Sequence, residues 1–478
     1  MTRSNTPPTD RRAFLTQGAS GLGALALSFL SSRSAPAADR VPAPHFAPKA
    51  RRAIWLFMGG GPSQVDLFDY KPGLAQRFNE DLPPSVLSDQ RLTGMTSGQS
   101  RLPIAPSRFS FAQSGQSGAW VSELLPFTQR IVDDIAIVKT VSTESINHDL
   151  AMSNINTGSQ LPGKPSLGAW LSYGLGRIQD DMPTYVVMTS SFSTRAFVQA
   201  IPARLWGSSF LPASNGGVPM RGVGDPVLYL ANPPGVSSGS RRAMLDALGQ
   251  LNSISGSALA DPAVDERTEQ YELAFRMQSS MPGLTDLSGE SSATLALYGQ
   301  DVDTPGTFAA NCVAARRMLE RGVRFVQIYH RGWDAHLDTP ANHSAQCRDI
   351  DQACYGLITD LKQRGLLEDT LVIWGGEFGR TVYCQDVLTR DNYGRDHHPR
   401  CFSMWLAGGG VRPGIVHGVT DDFSYNSLEG EIPLRDLHAT ILHLFGLDAN
   451  RLTFPHAGLP ERLTGVGAPA QVASELLL

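Results

Sequence analysis

Acidic and imidazole side chains follow several predicted strands, at the points where those strands end. Asp66 follows the first strand, Asp334 and His336 follow a strand in the second half, and Glu377 follows the next strand. Carboxylates and imidazoles from separate strand ends form the mixed oxygen and nitrogen shell that Zn, Mn or Fe prefers. Two neighbouring histidines extend this set, and the predicted metal ligands are Asp66, Asp334, His336, Glu377, His397 and His398.

Two arginines lie close to these groups in the sequence. A guanidinium group can bind a phosphate or sulfate through two parallel hydrogen bonds, so Arg380 and Arg395 are predicted to hold an anionic substrate. The alternative is structural. Glu377 would then pair with Arg380 or Arg395, and the acidic and imidazole groups would cap helices and join loops.

The elements that must position these groups alternate between strand and helix. Continuous apolar runs predict strands buried on both faces, at 53–58, 135–138, 185–188, 324–328, 370–374 and 402–406. Apolar spacing of helical period predicts helices at 307–321, 344–364 and 434–445. This order predicts an α/β fold with a doubly wound sheet, whose site lies along the carboxyl edge of the strands.

One large domain is expected to contain the site. We predict a linker at 38–52, a single α/β domain at 53–466 and a C-terminal tail at 467–478. The stretch 190–292 is rich in Gly, Pro and Ser and is predicted to be an insertion or cap within that domain.

The N-terminal segment has the pattern of a twin-arginine export signal. Arg11 and Arg12 precede an apolar stretch from Gly18 to Leu30, and Ala35-Pro36-Ala37 has the small residues that a signal peptidase requires. Residues 1–37 are therefore predicted to be a leader that the twin-arginine export machinery recognises. The mature protein would be periplasmic or otherwise exported, without a stable membrane span.

The charge balance argues against binding to nucleic acid. The full chain has a formal net charge of −5, and the predicted leader removes four arginines with one aspartate. The remaining chain is more acidic and contains no basic run, so it lacks the electrostatic surface that a phosphate backbone requires. The five cysteines show no CxxC pair, so neither a metal-binding cysteine pair nor a disulfide framework is expected.

Several longer motifs carry a resemblance to a known family. They are Gly59-Gly60-Gly61-Pro62-Ser63-Gln64-Val65-Asp66, Gly332-Trp333-Asp334-Ala335-His336, Trp374-Gly375-Gly376-Glu377-Phe378-Gly379-Arg380-Thr381, Gly394-Arg395-Asp396-His397-His398-Pro399 and Leu437-His438-Ala439-Thr440. Together they resemble the exported domain-of-unknown-function family 1501 across nearly the whole mature chain. That family looks like a distant branch of the alkaline phosphatase and sulfatase superfamily. The resemblance implies a central mixed sheet with helices on both faces and one or two divalent metals at its carboxyl edge.

The superfamily pattern transfers only partly to this sequence. Glu377 stands where those enzymes have the Asp of an Asp-His pair, and Phe378 replaces the His. Asp334 with His336 is similar to another ligand pair, although the spacing is shorter. His398, or its neighbour His397, resembles the late histidine ligand. Gly60 stands where the superfamily has the Asp that ends its first strand, and Asp66 could take that role only if its loop folds back.

The nucleophile of the superfamily is also missing. Those enzymes place it at the start of a helix, ten residues before the Gly of a Thr-Gly pair, and the same count from Gly158 reaches His148. A histidine can ligate a metal or act as a base, but it cannot become the formylglycine of sulfatases. Ser145, the nearest hydroxyl, lies three residues upstream. His148 is therefore the predicted catalytic residue, and any hydrolysis is expected to use a water molecule activated by the metal.

Two functions follow from these observations. The first is a metal-dependent hydrolase of phosphate or sulfate esters, with a small molecule or a glycan ester as substrate. The second is a non-catalytic envelope protein that kept the sheet and binds an anionic glycan or a protein partner. Metal content and ester turnover distinguish the two.

Overall fold

Parallel strands form the centre of the molecule. They are the apolar runs of the sequence, and helices bury them on both faces. The computed structural model describes residues 43–193, 198–222, 227, 230–259, 262–284 and 286–478. Among these residues the main sheet has nine strands: β1 (Arg52–Gly59), β4 (Ile135–Ser142), β5 (Tyr185–Ser190), β6 (Val218–Met220), β7 (Phe325–Arg331), β8 (Thr370–Gly375), β11 (Phe402–Ala407), β12 (Ile415–His417) and β15 (Ile432–Pro433). Their order in the sheet is β12-β4-β11-β8-β1-β7-β5-β6, and β15 also pairs with β4.

The sheet is mixed. β1 lies between β7 and β8 and is parallel to both, while β11 runs antiparallel to β8 and β4. The smaller ladders pair β2 (Phe111–Ser114) with β3 (Ala119–Ser122), β9 (Gly379–Gln385) with β10 (Gly394–His398), β13 (Val419–Thr420) with β14 (Ser427–Glu429) and β16 (Phe454–His456) with β17 (Leu459–Glu461).

Helices cover both faces of the sheet, as the sequence predicts. The α-helices are α1 (Gln64–Leu67), α2 (Pro84–Leu87), α3 (His148–Thr157), α4 (Leu167–Leu175), α5 (Ser238–Leu259), α6 (Pro262–Ser280), α7 (Ser292–Tyr298), α8 (Phe308–Glu320), α9 (Thr339–Gln363) and α10 (Leu434–Leu444). Ile54 and Leu56 of β1 pack with residues of α8 and α9, whereas Trp55 and Phe57 pack with residues of α3, α4 and α10. The alternation of β1 between two helical layers confirms the predicted α/β architecture.

The residues from Ala43 to Leu478 belong to one compact unit. Part of the predicted insertion adds to the sheet, because Val218–Met220 pairs in parallel with β5. The predicted tail packs against the domain through Leu476, which is buried. All five cysteines are buried and unpaired. The predicted leader at 1–37 lies outside the described residues, and none of the described helices is long and apolar enough to cross a membrane.

Candidate metal centre

The ends of β1 and β7 meet closely because β1 is followed by glycine. Gly60 has φ +118°, and a Cβ atom there would lie 2.5 Å from the backbone nitrogen of Asp334. Gly61 has φ +77°, and its Cβ would lie 2.7 Å from the ring of Phe378. Side chains are excluded at both positions by conformation and by space. The glycine run that ends β1 therefore lets the loops after three parallel strands come together.

Four side chains converge at this edge of the sheet. His148, Asp334, His336 and His397 each direct one ligand atom to a common point, and these atoms lie within 4.8 Å of one another. Asp334 Oδ1 lies 2.7 Å from His336 Nε2, 3.2 Å from His148 Nε2 and 3.6 Å from His397 Nε2. Three imidazoles thus face one carboxylate oxygen.

The outer nitrogen of each imidazole has its own partner. His148 Nδ1 lies 2.6 Å from Glu377 Oε1, His336 Nδ1 lies 2.6 Å from Gln385 Oε1, and His397 Nδ1 lies 2.6 Å from the Ile146 carbonyl oxygen. Because these oxygens accept hydrogen bonds, each Nδ1 carries the proton. In the neutral imidazoles, each Nε2 lone pair then points inward, which is the arrangement that second-layer partners impose on metal-binding histidines.

Charges around the cluster favour an ionised carboxylate. Arg380 Nη2 donates a hydrogen bond to Asp334 Oδ1 at 2.7 Å, and Gln199 Nε2 donates to Asp334 Oδ2 at 2.5 Å. Burial acts to raise the pKa of Asp334, but the charge of Arg380 and the histidine hydrogen bonds outweigh it and hold that pKa well below its usual value.

The pKa values of His397 and His148 are shifted in opposite directions. Burial lowers the pKa of His397 to about 3, so its imidazole is neutral near pH 7. Burial also acts to lower the pKa of His148, but hydrogen bonds to Asp334 and Glu377 raise it above its usual value.

This donor set fits a divalent transition metal. His336 Nε2 and His397 Nε2 are 3.1 Å apart, and both are acceptors when the imidazoles are neutral. In a tetrahedral zinc site with Zn–N bonds of about 2.0–2.1 Å, neighbouring ligand atoms are about 3.3 Å apart. The observed separations bracket that value. Three imidazole nitrogens with one carboxylate oxygen favour Zn or Fe over Mg or Ca.

Glu377 is placed one layer outside the cluster that it was predicted to join. Its Oε1 and Oε2 accept hydrogen bonds from the Gly60 backbone nitrogen at 3.0 and 3.2 Å. Oε1 also contacts His148 Nδ1. Glu377 therefore orients a candidate ligand, and it is not among the residues whose ligand atoms converge.

Asp66 and His398 are also outside the cluster, contrary to the sequence prediction. Asp66 Oδ2 accepts from Arg395 Nε at 2.8 Å and from Ser63 Oγ at 2.5 Å, and the loop does not turn Asp66 toward the histidines. His398 Nε2 lies 2.9 Å from the Tyr425 carbonyl oxygen. Successive residues of a strand point to opposite sides, so in β10 the side chain of His397 reaches the cluster and that of His398 points away.

The two predicted substrate-binding arginines are fully buried and already bonded. Arg380 donates to the carbonyl oxygens of Gly60 and Gly61 as well as to Asp334. Arg395 donates to Asp66 and to the carbonyl oxygens of Thr381, Val382 and Ala105. Both side chains are 0% exposed. Their guanidinium groups hold the framework together, which corrects the expectation that they bind substrate.

Sequence reasoning missed the contributions of Gln385 and Gln199. Residues 379–385 form a strand that pairs with β10, and this pairing brings Gln385 to His336. The β-branched and aromatic residues Thr381, Val382 and Tyr383 are a signal for that strand. Gln199 belongs to the irregular insertion, where no sequence pattern marks it.

The fold and the site define an α/β protein with a candidate centre of three histidines and one aspartate. The family model described as protein of unknown function (DUF1501) matches residues 50–477, so the chain belongs to that family. None of the curated proteins matches this chain in sequence.

Solved structures similar to this chain include a phosphonate monoester hydrolase, a sulfatase and an alkaline phosphatase. A phosphonate monoester hydrolase from Silicibacter pomeroyi has 11% identity over 74% of this chain and 71% of its own, with a TM-score of 0.32. A sulfatase from Pseudoalteromonas sp. has 12% identity over 84% and 68%, with a TM-score of 0.34. Alkaline phosphatase from the Antarctic bacterium TAB5 has 12% identity over 76% and 92%, with a TM-score of 0.30.

Proposed function

We propose that this protein is a metal-dependent hydrolase of phosphate or sulfate esters, with a small molecule or a glycan ester as substrate. The observation that carries the proposal is the convergence of three Nε2 atoms on Asp334 Oδ1. The residues that would hold the metal are His148, Asp334, His336 and His397. A bound Zn, Mn or Fe ion would supply Lewis acidity and make a bound water more acidic.

The protein groups have separate tasks in this proposal. Glu377 keeps the proton on His148 Nδ1, so that Nε2 faces inward. Arg380 keeps Asp334 ionised. His148 is the first residue of α3, the position to which the superfamily resemblance assigns the nucleophile. An imidazole at that position argues for attack by water.

Ser145 is the competing nucleophile. It lies before α3, is 2% exposed, and its Oγ has no hydrogen-bond partner among the described residues. No base among the described residues contacts that hydroxyl, so nothing activates it for attack. A covalent adduct at Ser145 during turnover would overturn the proposal that water attacks directly.

Metal analysis followed by turnover tests the function. Protein is purified without chelators, its metal content is measured, and phosphate monoesters, phosphate diesters and sulfate esters are assayed. We expect about one bound divalent ion per chain and metal-dependent turnover of at least one ester class. Protein without metal that Zn or Mn does not stabilise against heat would overturn the metal centre. A metal-loaded protein that turns over no ester would favour the non-catalytic envelope function.

We also propose export through the twin-arginine machinery, supported by Arg11 and Arg12 and the apolar segment that follows them. Replacing both arginines with lysine preserves the charge but removes the pair that the receptor recognises. We expect uncleaved precursor to remain in the cytoplasm. Mature protein in the periplasm of that strain would contradict this route.

A further inference from the structure

The two arginines predicted to bind an anionic substrate, Arg380 and Arg395, already donate their hydrogen bonds to protein groups. Arg204, which follows the strap formed by residues 198–201, is ion-paired with Asp149. Arg331 differs from these three. Its Nε is enclosed and has no hydrogen-bond partner among the described residues.

Arg331 stands beside the strand end that leads to the centre. It is the last residue of β7 and is paired with Gly59 of β1. A Cβ atom on Gly59 would lie 3.9 Å from Arg331 Cγ and 3.7 Å from Ile201 Cδ1. Gly59 is followed by Gly60, which packs against Asp334. The aliphatic part of Arg331 and the side chain of Ile201 thus both lie beside the end of β1.

The strap connects this position to the candidate ligands. Gln199, two residues before Ile201, donates a hydrogen bond to Asp334 Oδ2. The strap therefore contacts Asp334 through Gln199, and its residue Ile201 lies near the position of Arg331.

Strand alternation places Arg331 on the face of the sheet that α3 covers. Tyr329, two residues earlier in β7, points to the same face and donates a hydrogen bond to Asn156 of α3 at 2.9 Å. The first residue of α3 is His148, which lies in the cluster. Arg331 and His148 therefore belong to the same face and the same edge of the sheet.

The guanidinium group itself is partly buried and rests on an aromatic ring. Its central carbon is 5.8 Å from the ring centroid of Phe192, a distance at which a cation interacts with an aromatic face. This contact holds the charge in place but satisfies none of its N–H donors. An enclosed donor without a partner, here Nε, is rare in folded proteins, and a ligand that the guanidinium group holds is one of the groups that satisfies such a donor.

We propose that Arg331 binds the oxyanion of the substrate beside the candidate metal centre. The ligand class is a tetrahedral oxyanion, phosphate or sulfate, whose oxygens match the planar donor fork of a guanidinium group. The substrate assignment rests on the proposed function, whereas oxyanion binding by Arg331 can be measured without turnover and without metal.

The test compares three variants by calorimetric titration with inorganic phosphate and with inorganic sulfate. Arg331→Met removes the charge and its donors, and Arg331→Lys keeps the charge but loses the fork. Arg348→Met is the matched control, because Arg348 is an exposed arginine on α9, which covers the opposite face. Metal content and thermal unfolding are measured for each preparation.

We expect the full-length protein to bind one of the two anions. Arg331→Met should weaken that binding at least about tenfold and Arg331→Lys at least about threefold, with wild-type metal content. Arg348→Met should stay within about twofold of wild type. The anion that binds more tightly identifies the substrate class.

The proposal would be overturned if the wild type bound neither anion, or if Arg331→Met and Arg348→Met bound equally well. If Arg331→Met does not fold, wild-type binding by Arg331→Lys would overturn it. Arg331-dependent binding by a protein that contains no metal would support the inference and overturn the proposed metallohydrolase. The two failures are therefore distinguishable.

Discussion

His148 and Glu377 form a short contact, with Nδ1 of the imidazole 2.6 Å from Oε1 of the carboxylate. Glu377 is fixed in turn by the Gly60 backbone nitrogen. The Glu377 carboxylate fixes the proton on His148 Nδ1 and so leaves Nε2 free to bind a metal. Glu377 itself does not reach the metal position.

Replacing Glu377 with Gln should weaken metal binding about 10- to 100-fold, because the amide no longer fixes the His148 tautomer by charge. Zinc affinity measured by competition with a chromophoric chelator gives the value. Glu290→Gln is the matched control, since Glu290 pairs with Arg316 in a separate ion-pair network. Wild-type affinity in Glu377→Gln would show that the contact has no role in metal binding.

The neighbours His397 and His398 provide an internal comparison within one strand. His397→Gln should lose the metal during dialysis because an Nε2 ligand is removed. His398→Gln should keep the metal, although loss of the contact with the Tyr425 carbonyl oxygen should lower the free energy of unfolding by roughly 1 kcal/mol. Metal analysis and chemical denaturation of both variants test this. Equal metal loss in both would contradict the orientation of β10.

Asp334 and Asp66 make a second comparison, since each carboxylate is bonded to one buried arginine. Either Ala variant should lower the free energy of unfolding by about 3–5 kcal/mol, because a buried guanidinium loses its counter-charge. Only Asp334→Ala should empty the metal centre. If these variants do not fold, the Asn variants keep the side-chain shape for the same metal analysis. Metal loss caused by the Asp66 substitution would restore Asp66 as a ligand.

The buried histidine His438 should contribute to acid sensitivity. Burial lowers its pKa to about 4, and its Nε2 lies 2.7 Å from the Ile155 carbonyl oxygen of α3. In the unfolded chain a histidine titrates near 6.5, so the unfolded state binds the proton first as pH falls. The stability that depends on neutral His438 is present above about pH 6.5 and is lost progressively as pH falls toward 4.

The size of this effect is about 3 kcal/mol over that pH range, from the pKa difference. Denaturant unfolding of wild type and His438→Gln at several pH values measures it. The stability difference between the two proteins should change in favour of the variant as pH falls. A difference that stays constant with pH would show that His438 is not the titrating group.

The sequence predicts the frame of this site better than its contacts. The strands β1, β7 and β8 are continuous apolar runs, a feature of local composition that a sequence carries directly. The start of α3 at His148 is the position that the superfamily resemblance implies, by the count back from Gly158.

The roles of Asp66, Glu377 and His398 could not be read in the same way. The sequence shows that each follows a strand or lies within one, but not which way its side chain turns. Pairing of β9 with β10 selects His397. The ion pair with Arg395 holds Asp66 away from the histidines, and hydrogen bonds with the Gly60 backbone nitrogen and His148 hold Glu377 outside the cluster. Both outcomes depend on contacts between segments far apart in the chain.

The buried, unpaired cysteines bear on how distant segments of this chain are held together. Exported proteins commonly fasten such segments with disulfides. Here the corresponding link would be a bound ion: His148 and Glu377, separated by 229 positions, meet at the site where an ion would join the start of α3 to the loop after β7 and to β10. A chelator would remove such a link and thiol reductants would not, so the stability of the folded chain would depend on the local supply of metal.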